Sequence, residues 1–258
     1  MKNSHSIDEK KFNQFFMKLL APRKDEILLD LGCGHGNEIK TICQSQPIKK
    51  IYGLDFSEKH ITAAKKNLRK HLTDRKVELN QFDASNPLPF PANHFDAVYS
   101  LDLLECLGET SRNSLLKEIH RILKPDGRLA MEHTDWDTQV WNTRHKELGR
   151  KLVHAFCDTQ QNWMTHVEGQ MGRKLWEWVH QKPLFKNPQI ETYVLTNTDY
   201  KPGLLGHNMS QALVETLGKK KSRVSEIELA QFLADLKIQA KKKRYFYSVN
   251  RYVLITHK

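Results

Sequence analysis

Short apolar runs that stop at an acidic residue recur through the first half of the chain, separated by stretches with apolar residues every three or four positions. Ile27-Leu28-Leu29 leads into Asp30-Leu31 and then into glycines at every second position, Gly32, Gly34 and Gly36. That pattern predicts a buried strand and a sharp turn, and Asn37 to Cys43 then returns to helical spacing. Ile51-Tyr52-Gly53-Leu54 ends in Asp55 as a second strand, with Ser57 as the N-cap of a helix running to about His71. Val77 to Phe82 ends in Asp83-Ala84, and Phe95 to Ser100 is a fourth run. Leu115 to Leu123 is helical, and Lys124-Pro125-Asp126-Gly127 turns into a fifth strand, Arg128 to His133. Strands alternating with helices predict an α/β fold around a parallel sheet.

The flanks read differently. Phe12, Phe15, Phe16, Leu19 and Leu20 form one stripe of an N-terminal helix. After the fifth strand, Val140 to Phe156 and Gly172 to His180 read as helices, and Ile190 to Leu195 as a sixth strand. Two more helices follow, Ser210 to Leu217 and Glu226 to Ala240, the second opened by a Ser225/Glu228 capping box. Tyr245 to Ile255 is a last strand. With no repeat and no low-complexity linker, one domain is expected over residues 1–258. It divides into an N-terminal helix (1–22), a core (23–134), a helical insertion covering the substrate (135–183) and C-terminal strands and helices (184–258).

The glycine turn excludes a Walker loop, because Gly36 is followed by Asn37-Glu38 and not by Lys and a hydroxyl residue. It also breaks the dinucleotide spacing G-x-G-x-x-G, and Asp30 before it would repel a pyrophosphate. The same acid attracts a cationic or amino-bearing ligand. Asp55, at the next strand end, can accept both hydroxyls of a ribose, and Phe56 can pack on an adenine face.

These residues together resemble the class I S-adenosylmethionine (SAM) methyltransferases. Asp30 to Gly36 is similar to their motif I, D/E-x-G-x-G-x-G, and Leu123 to Leu129 (L-K-P-D-G-R-L) to another of their elements. The resemblance implies a Rossmann-like, doubly wound, seven-stranded sheet, mostly parallel, with an antiparallel last strand between the fifth and sixth. It also implies SAM as cofactor and S-adenosylhomocysteine (SAH) as product. The cofactor-binding set it suggests is Asp30, Gly32, Cys33, Gly34, Asp55, Phe56, Asp83, Ala84 and Ser100, with Asp83 receiving the adenine amino group.

Base-modifying members carry N/D-P-P-Y/F after the fourth strand, and here the chain reads Ser100-Leu101-Asp102-Leu103-Leu104-Glu105-Cys106. The segment resembles instead the small-molecule branch of ubiquinone- and menaquinone-biosynthesis enzymes (methyltransferase domain 11-like), with Cys106 where that branch commonly has His. The expected reaction is methyl transfer to an O, N or C nucleophile of a small metabolite. His133 and Asp135 are the candidate bases, and each has a structural alternative: a satisfied core histidine and a helix N-cap. Trp136, Arg173 and Arg251 are candidates for the acceptor, with packing anchor, surface charge and strand-pairing ion as their alternatives.

Composition narrows this little. The net charge is +11, shared as +3 over residues 1–134 and +8 beyond. The runs Lys219–Arg223 and Lys241–Arg244 suit solvated helix ends, but they keep a second reading open, a tRNA or rRNA methyltransferase. A non-catalytic SAM-binding module is a third. The four cysteines and thirteen histidines show no metal-ligand spacing. With no membrane-length apolar run and no signal peptide, a cytoplasmic protein without a metal or a nucleic-acid partner is expected.

Overall fold

The computed structural model describes residues 7–159, 164–165, 167–181, 183–219 and 224–258. Its elements are α1 (Ile7–Leu20), β1 (Ile27–Leu31), α2 (Asn37–Ser45), β2 (Lys50–Asp55), α3 (Glu58–Asn67), α4 (Arg69–Thr73), β3 (Val77–Gln81) and β4 (Phe95–Leu101). A short 3₁₀ turn (Leu104–Cys106) leads to α5 (Glu109–Ile122), β5 (Leu123–Trp141), α6 (Lys146–Cys157), α7 (Met171–His180), β6 (Lys186–Asn197), α8 (Leu205–Lys219), α9 (Glu226–Lys241) and β7 (Tyr247–His257). The strands form one sheet in the order β3-β2-β1-β4-β5-β7-β6.

β3, β2, β1, β4 and β5 pair in parallel, as crossover connections allow. β7 enters antiparallel: backbone contacts join Lys258 to Gly127 and Asn142 to Phe246, so one strand number falls as the other rises. The sheet is therefore the expected seven-stranded, mostly parallel one, with its last strand between the fifth and the sixth.

Two compact units can be described. One holds residues 13–133, 173–191 and 252–258. Its core is the fully buried row Leu28, Leu29, Leu31, Ile51, Val98 and Tyr99, backed by Ile119 and Ile122 of α5. The near-continuous apolar runs of β1 and β4 are what a strand covered on both faces needs. A buried ion pair, Arg128 to Glu26 at 2.7 Å, with Arg128 Nε also donating to the Leu20 carbonyl at 3.0 Å, ties β5 to the entrance of β1.

The other unit holds the described residues among 7–12, 134–172 and 192–251. Trp141, Phe232, Tyr245 and Tyr247 lie at the centre of its core with Leu152, Leu213 and Leu236. Trp141 meets the Phe232 ring edge-on at 5.5 Å and the Tyr247 ring at 4.8 Å.

Several expected boundaries shift. The second helix after the glycine turn breaks at Leu68 and restarts as α4. The Lys124–Gly127 turn lies inside β5 as a bulge: Phe95 pairs with Leu123 but Ala97 already with Arg128, and Asp126 takes the left-handed φ of 61°. β5 also continues to Trp141, so the helix expected from Val140 starts only at Lys146. The N-cap role of that helix thus does not fall to Asp135, which sits in a strand. Val140 and Trp141 are adjacent apolar residues that fit either period, and pairing beside β7 holds the stretch as strand. Ser225 does cap α9 with Glu228 as a reciprocal box. The lysine run at 220–223 lies outside the described residues.

Candidate active site

The glycine turn is built by β2. The backbone N–H groups of Gly32 and Cys33 both donate to the Leu54 carbonyl, at 2.8 and 2.9 Å, so the turn folds back over its neighbour strand. Gly34 N–H then donates to Asp55 Oδ2 at 2.8 Å. Gly32, Gly34 and Gly36 all take left-handed φ values, of 77°, 49° and 72°, which disfavour a side chain at each. Their surroundings differ. A Cβ on Gly36 would lie 2.5 Å from Leu68 Cδ1, whereas one on Gly34 would meet nothing within 4 Å. Gly36 is thus needed for packing on α3, and Gly34 leaves open space above bare backbone.

Asp55 is held on both oxygens. Oδ1 accepts from Ser57 N–H at 2.9 Å and lies 3.1 Å from His60 Nδ1. Phe56 follows with its ring 72% exposed, the most open aromatic of the described chain, and Gln81 Nε2 holds its carbonyl at 3.0 Å. The Asp55 carbonyl accepts from Phe82 N–H at 2.9 Å, which brings the end of β3 alongside. There Asp83 makes a local turn, its Oδ1 accepting from Ser85 N–H at 2.9 Å, with Ala84 between them.

Asp30 is buried, and its Oδ2 has no well-formed hydrogen bond among the described residues. Burial, then the charge of Glu38, pushes this carboxyl well above the ordinary range, while the neighbouring Tyr99 hydroxyl pulls the other way. Cys33 is buried, and burial with the Asp30 and Asp55 carboxylates pushes its thiol upward too, so it sits in the turn as a neutral group. Ser100 is fully buried, its hydroxyl donating to the Leu31 carbonyl at 2.6 Å. It braces β1 against β4 beneath the turn.

His133 is fully buried at the end of the parallel part of β5. Its Nδ1 lies 3.5 Å from Asp102 Oδ1 and its Nε2 3.9 Å from Glu105 Oε2. Asp102 takes a left-handed φ of 49°, and its N–H donates to the Glu132 carbonyl at 3.1 Å, joining the ends of β4 and β5. Desolvation and the Glu105 and Asp102 carboxylates push the Cys106 thiol to about 11, so it is no thiolate at neutral pH.

The other candidates are placed elsewhere. Asp135 is fully buried, its carbonyl taken by the Thr138 hydroxyl at 2.7 Å. Trp136 packs against the aromatic core of its own unit. The Arg251 guanidinium stacks on the Phe12 ring at 3.5 Å. Arg173 lies in the first turn of α7.

Sequence reasoning missed His60, Asn67, Asp102 and Glu105. Asn67 Nδ2 donates to the His35 carbonyl at 3.1 Å from the end of α3, clamping the glycine turn from the side. The signal for His60 and Asn67 was the cap at Ser57: it fixes a helix whose first turn faces back on Asp55 and whose last residue lies two turns on.

Residues 22–198 match the model of a methyltransferase domain family. The chain belongs to that family. This methyltransferase domain is 34% identical over 129 residues to a demethylmenaquinone methyltransferase of Lactobacillus johnsonii, an alignment covering 48% of this chain and 50% of that protein. The chain spans about half the length of the curated relatives it matches. Its fold is shared by a geranyl diphosphate C-methyltransferase from Streptomyces coelicolor, with a TM-score of 0.56 at 17% identity, covering 96% of this chain and 80% of that one. It is shared equally by a 4+2 cyclase, with a TM-score of 0.56 at 17% identity over 97% and 81% of the two chains. Among the described residues no helix is long and apolar enough to cross a membrane, and no group of three His, Cys, Asp or Glu side chains could hold a metal ion.

Proposed function

We propose that this methyltransferase domain transfers the methyl group of SAM to an O, N or C nucleophile of a small metabolite by in-line displacement, releasing SAH. One observation carries the reading. Open backbone at Gly34, a carboxylate fixed to it at Asp55 and an exposed ring at Phe56 are linked in one patch at the strand ends, as an adenosine with an amino-acid tail requires. Bound SAM supplies a methyl group already activated on a sulfonium.

The chain's own residues then hold and orient. Asp55 receives the ribose hydroxyls, Phe56 covers the adenine, Asp83 and Ala84 border it, and Asp30 offers a buried carboxyl whose ionised form the cationic end favours. Holding donor and acceptor in line is the main catalytic work of such a site. Where the acceptor must lose a proton, His133 takes it, and the Asp102 and Glu105 carboxylates stabilise the imidazolium that results. The relative named as a demethylmenaquinone methyltransferase supports a small organic acceptor. Four free cysteines accord with a cytoplasmic setting.

Calorimetry of the intact chain with SAH is the first test: binding in the micromolar range is expected, and its absence removes the proposal. Transfer of labelled methyl from SAM into extracted metabolites is the second. The cyclase neighbour motivates one other reading, a SAM-binding protein whose reaction is not methylation. SAH binding without label transfer to any metabolite fraction supports that reading instead.

A further inference from the structure

Among the described residues the Asp55 carboxylate has one side-chain partner, and that partner belongs to no part of the glycine turn. His60 stands in the first turn of α3, fixed there by the Ser57 cap, whose hydroxyl accepts from His60 N–H at 3.3 Å. Its Nδ1 lies 3.1 Å from Asp55 Oδ1, with 46% of the His60 side chain and 11% of the Asp55 side chain exposed. An ionised carboxylate only accepts, so Nδ1 must carry the proton and donate. The face of the ring is steadied by His35 of the glycine turn, edge-on with centroids 5.2 Å apart.

Gly34 N–H on Oδ2 and Ser57 N–H on Oδ1 are backbone donors and tether the carboxylate at its two corners. They restrain its tilt about the Cβ–Cγ bond only partly, because that terminal torsion is broad, and a third contact narrows it further. His60 supplies it. We infer that His60 is a positioning residue for the nucleoside, setting the plane of the Asp55 carboxylate so that the open edge of Oδ2 meets the ribose hydroxyls of SAM. The inference rests on the SAM reading above and adds a residue to it. Asn67, at the other end of the same helix, holds the glycine turn and not the acid, so the two ends of α3 separate the two effects.

The test is SAH binding by the intact protein and its His60→Ala, His60→Asn and Asn67→Ala variants, repeated with 2′-deoxy-SAH. His60→Ala is expected to weaken SAH binding about three- to tenfold, the range of a half-exposed hydrogen bond to a charged group. It should leave the weaker binding of the 2′-deoxy compound nearly unchanged. His60→Asn, whose side-chain NH₂ sits where Nδ1 does, should restore most of the loss. In turnover the change should fall on KM for SAM and not on kcat. Asn67→Ala should weaken both compounds alike. Unchanged SAH binding in His60→Ala, or equal losses for SAH and its 2′-deoxy analogue, overturns the assignment. If His60→Ala does not fold, His60→Gln against His60→Asn poses the same question, since the glutamine amide matches the position of Nε2. Failure of the unaltered protein to bind SAH is a different result: it removes the SAM reading and the role of His60 with it.

Discussion

Two aspartates, one in each compact unit, are equally buried, at 2% exposure, and have opposite electrostatics. Asp235, on α9, accepts from the Thr143 hydroxyl at 2.7 Å, from Arg144 N–H and Nε at 2.8 and 2.9 Å, and from Gln239 Nε2 at 3.0 Å. Burial alone would raise its pKa, but these donors, Arg144 foremost, bring it down to about 2. Asp30, at the end of β1, has no such set, and burial carries it well above the ordinary range. The same side chain at the same depth is an ionised structural joint where donors surround it and is pushed toward the neutral form where they are few. Buried polar groups are paired almost without exception, so a buried carboxylate as poorly served as Asp30 calls for an explanation, and the cationic ligand proposed above supplies one.

The comparison can be broken from either side. Asp235→Ala should have the largest effect on the fold, because it strips the partners from a hydroxyl, an amide and two N–H donors at once. A loss of about 2–4 kcal/mol in urea unfolding is expected, with SAH affinity nearly unchanged in the folded fraction. A loss below about 1 kcal/mol would mean that Asp235 is not the joint described. Asp55→Ala should show the reverse pattern. Stability should fall by about 1 kcal/mol, while SAH binding in calorimetry weakens by about a hundredfold, the loss of two charge-assisted hydrogen bonds.

The legibility of the two regions follows from the same contrast. Gly32 and Gly34 could be read from the chain because the turn takes positive φ, and Asp30 and Asp55 because each is an acid that interrupts or closes an apolar run. Sheet order and the antiparallel last strand followed from family resemblance and not from periodicity. His60 and Asp102 were invisible because their roles depend on where a cap and a strand end aim a side chain, and spacing alone does not encode aim. The continuation of β5 to Trp141 was missed because Val140 and Trp141 fit both periods, and pairing with β7 decided between them. Arg251 and Trp136 were chosen for chemistry that suits an acceptor, yet the structure engages the first with the Phe12 ring and the second with its unit's aromatic core.

The glycines sharpen the contrast at a smaller scale. Gly36→Ala must displace Leu68 and accept a left-handed φ, so a stability loss of about 2 kcal/mol is expected, with weaker cofactor binding as a consequence. Gly34→Ala faces only the φ penalty, about 1 kcal/mol, because its Cβ would enter open space. If that space is where the cofactor approaches the backbone, Gly34→Ala should lose more SAH affinity than stability, and the two alanine variants should order oppositely in calorimetry and in thermal melts.

The finest test is the protonation of Asp30. Its folded pKa lies above its unfolded value of about 3.9. Below that value the carboxyl is protonated in both states and contributes nothing to pH dependence. As pH rises through the window between the two values, the unfolded chain releases its proton while the folded chain keeps it, so stability falls. Above the folded pKa the penalty is constant. Asp30→Asn, equal in shape and always neutral, lacks this decline. Its melting temperature should therefore gain on that of the unaltered chain as pH increases from about 4. A cationic ligand beside Asp30 favours the ionised form, so within the same window SAM binding should release a proton to buffer. Calorimetric enthalpies in buffers of different ionisation heat would show that release, and Asp30→Asn should abolish it while weakening SAM. Parallel melting curves for the two proteins across pH would mean that Asp30 is ionised and satisfied in the free chain, and the distinction from Asp235 would fall.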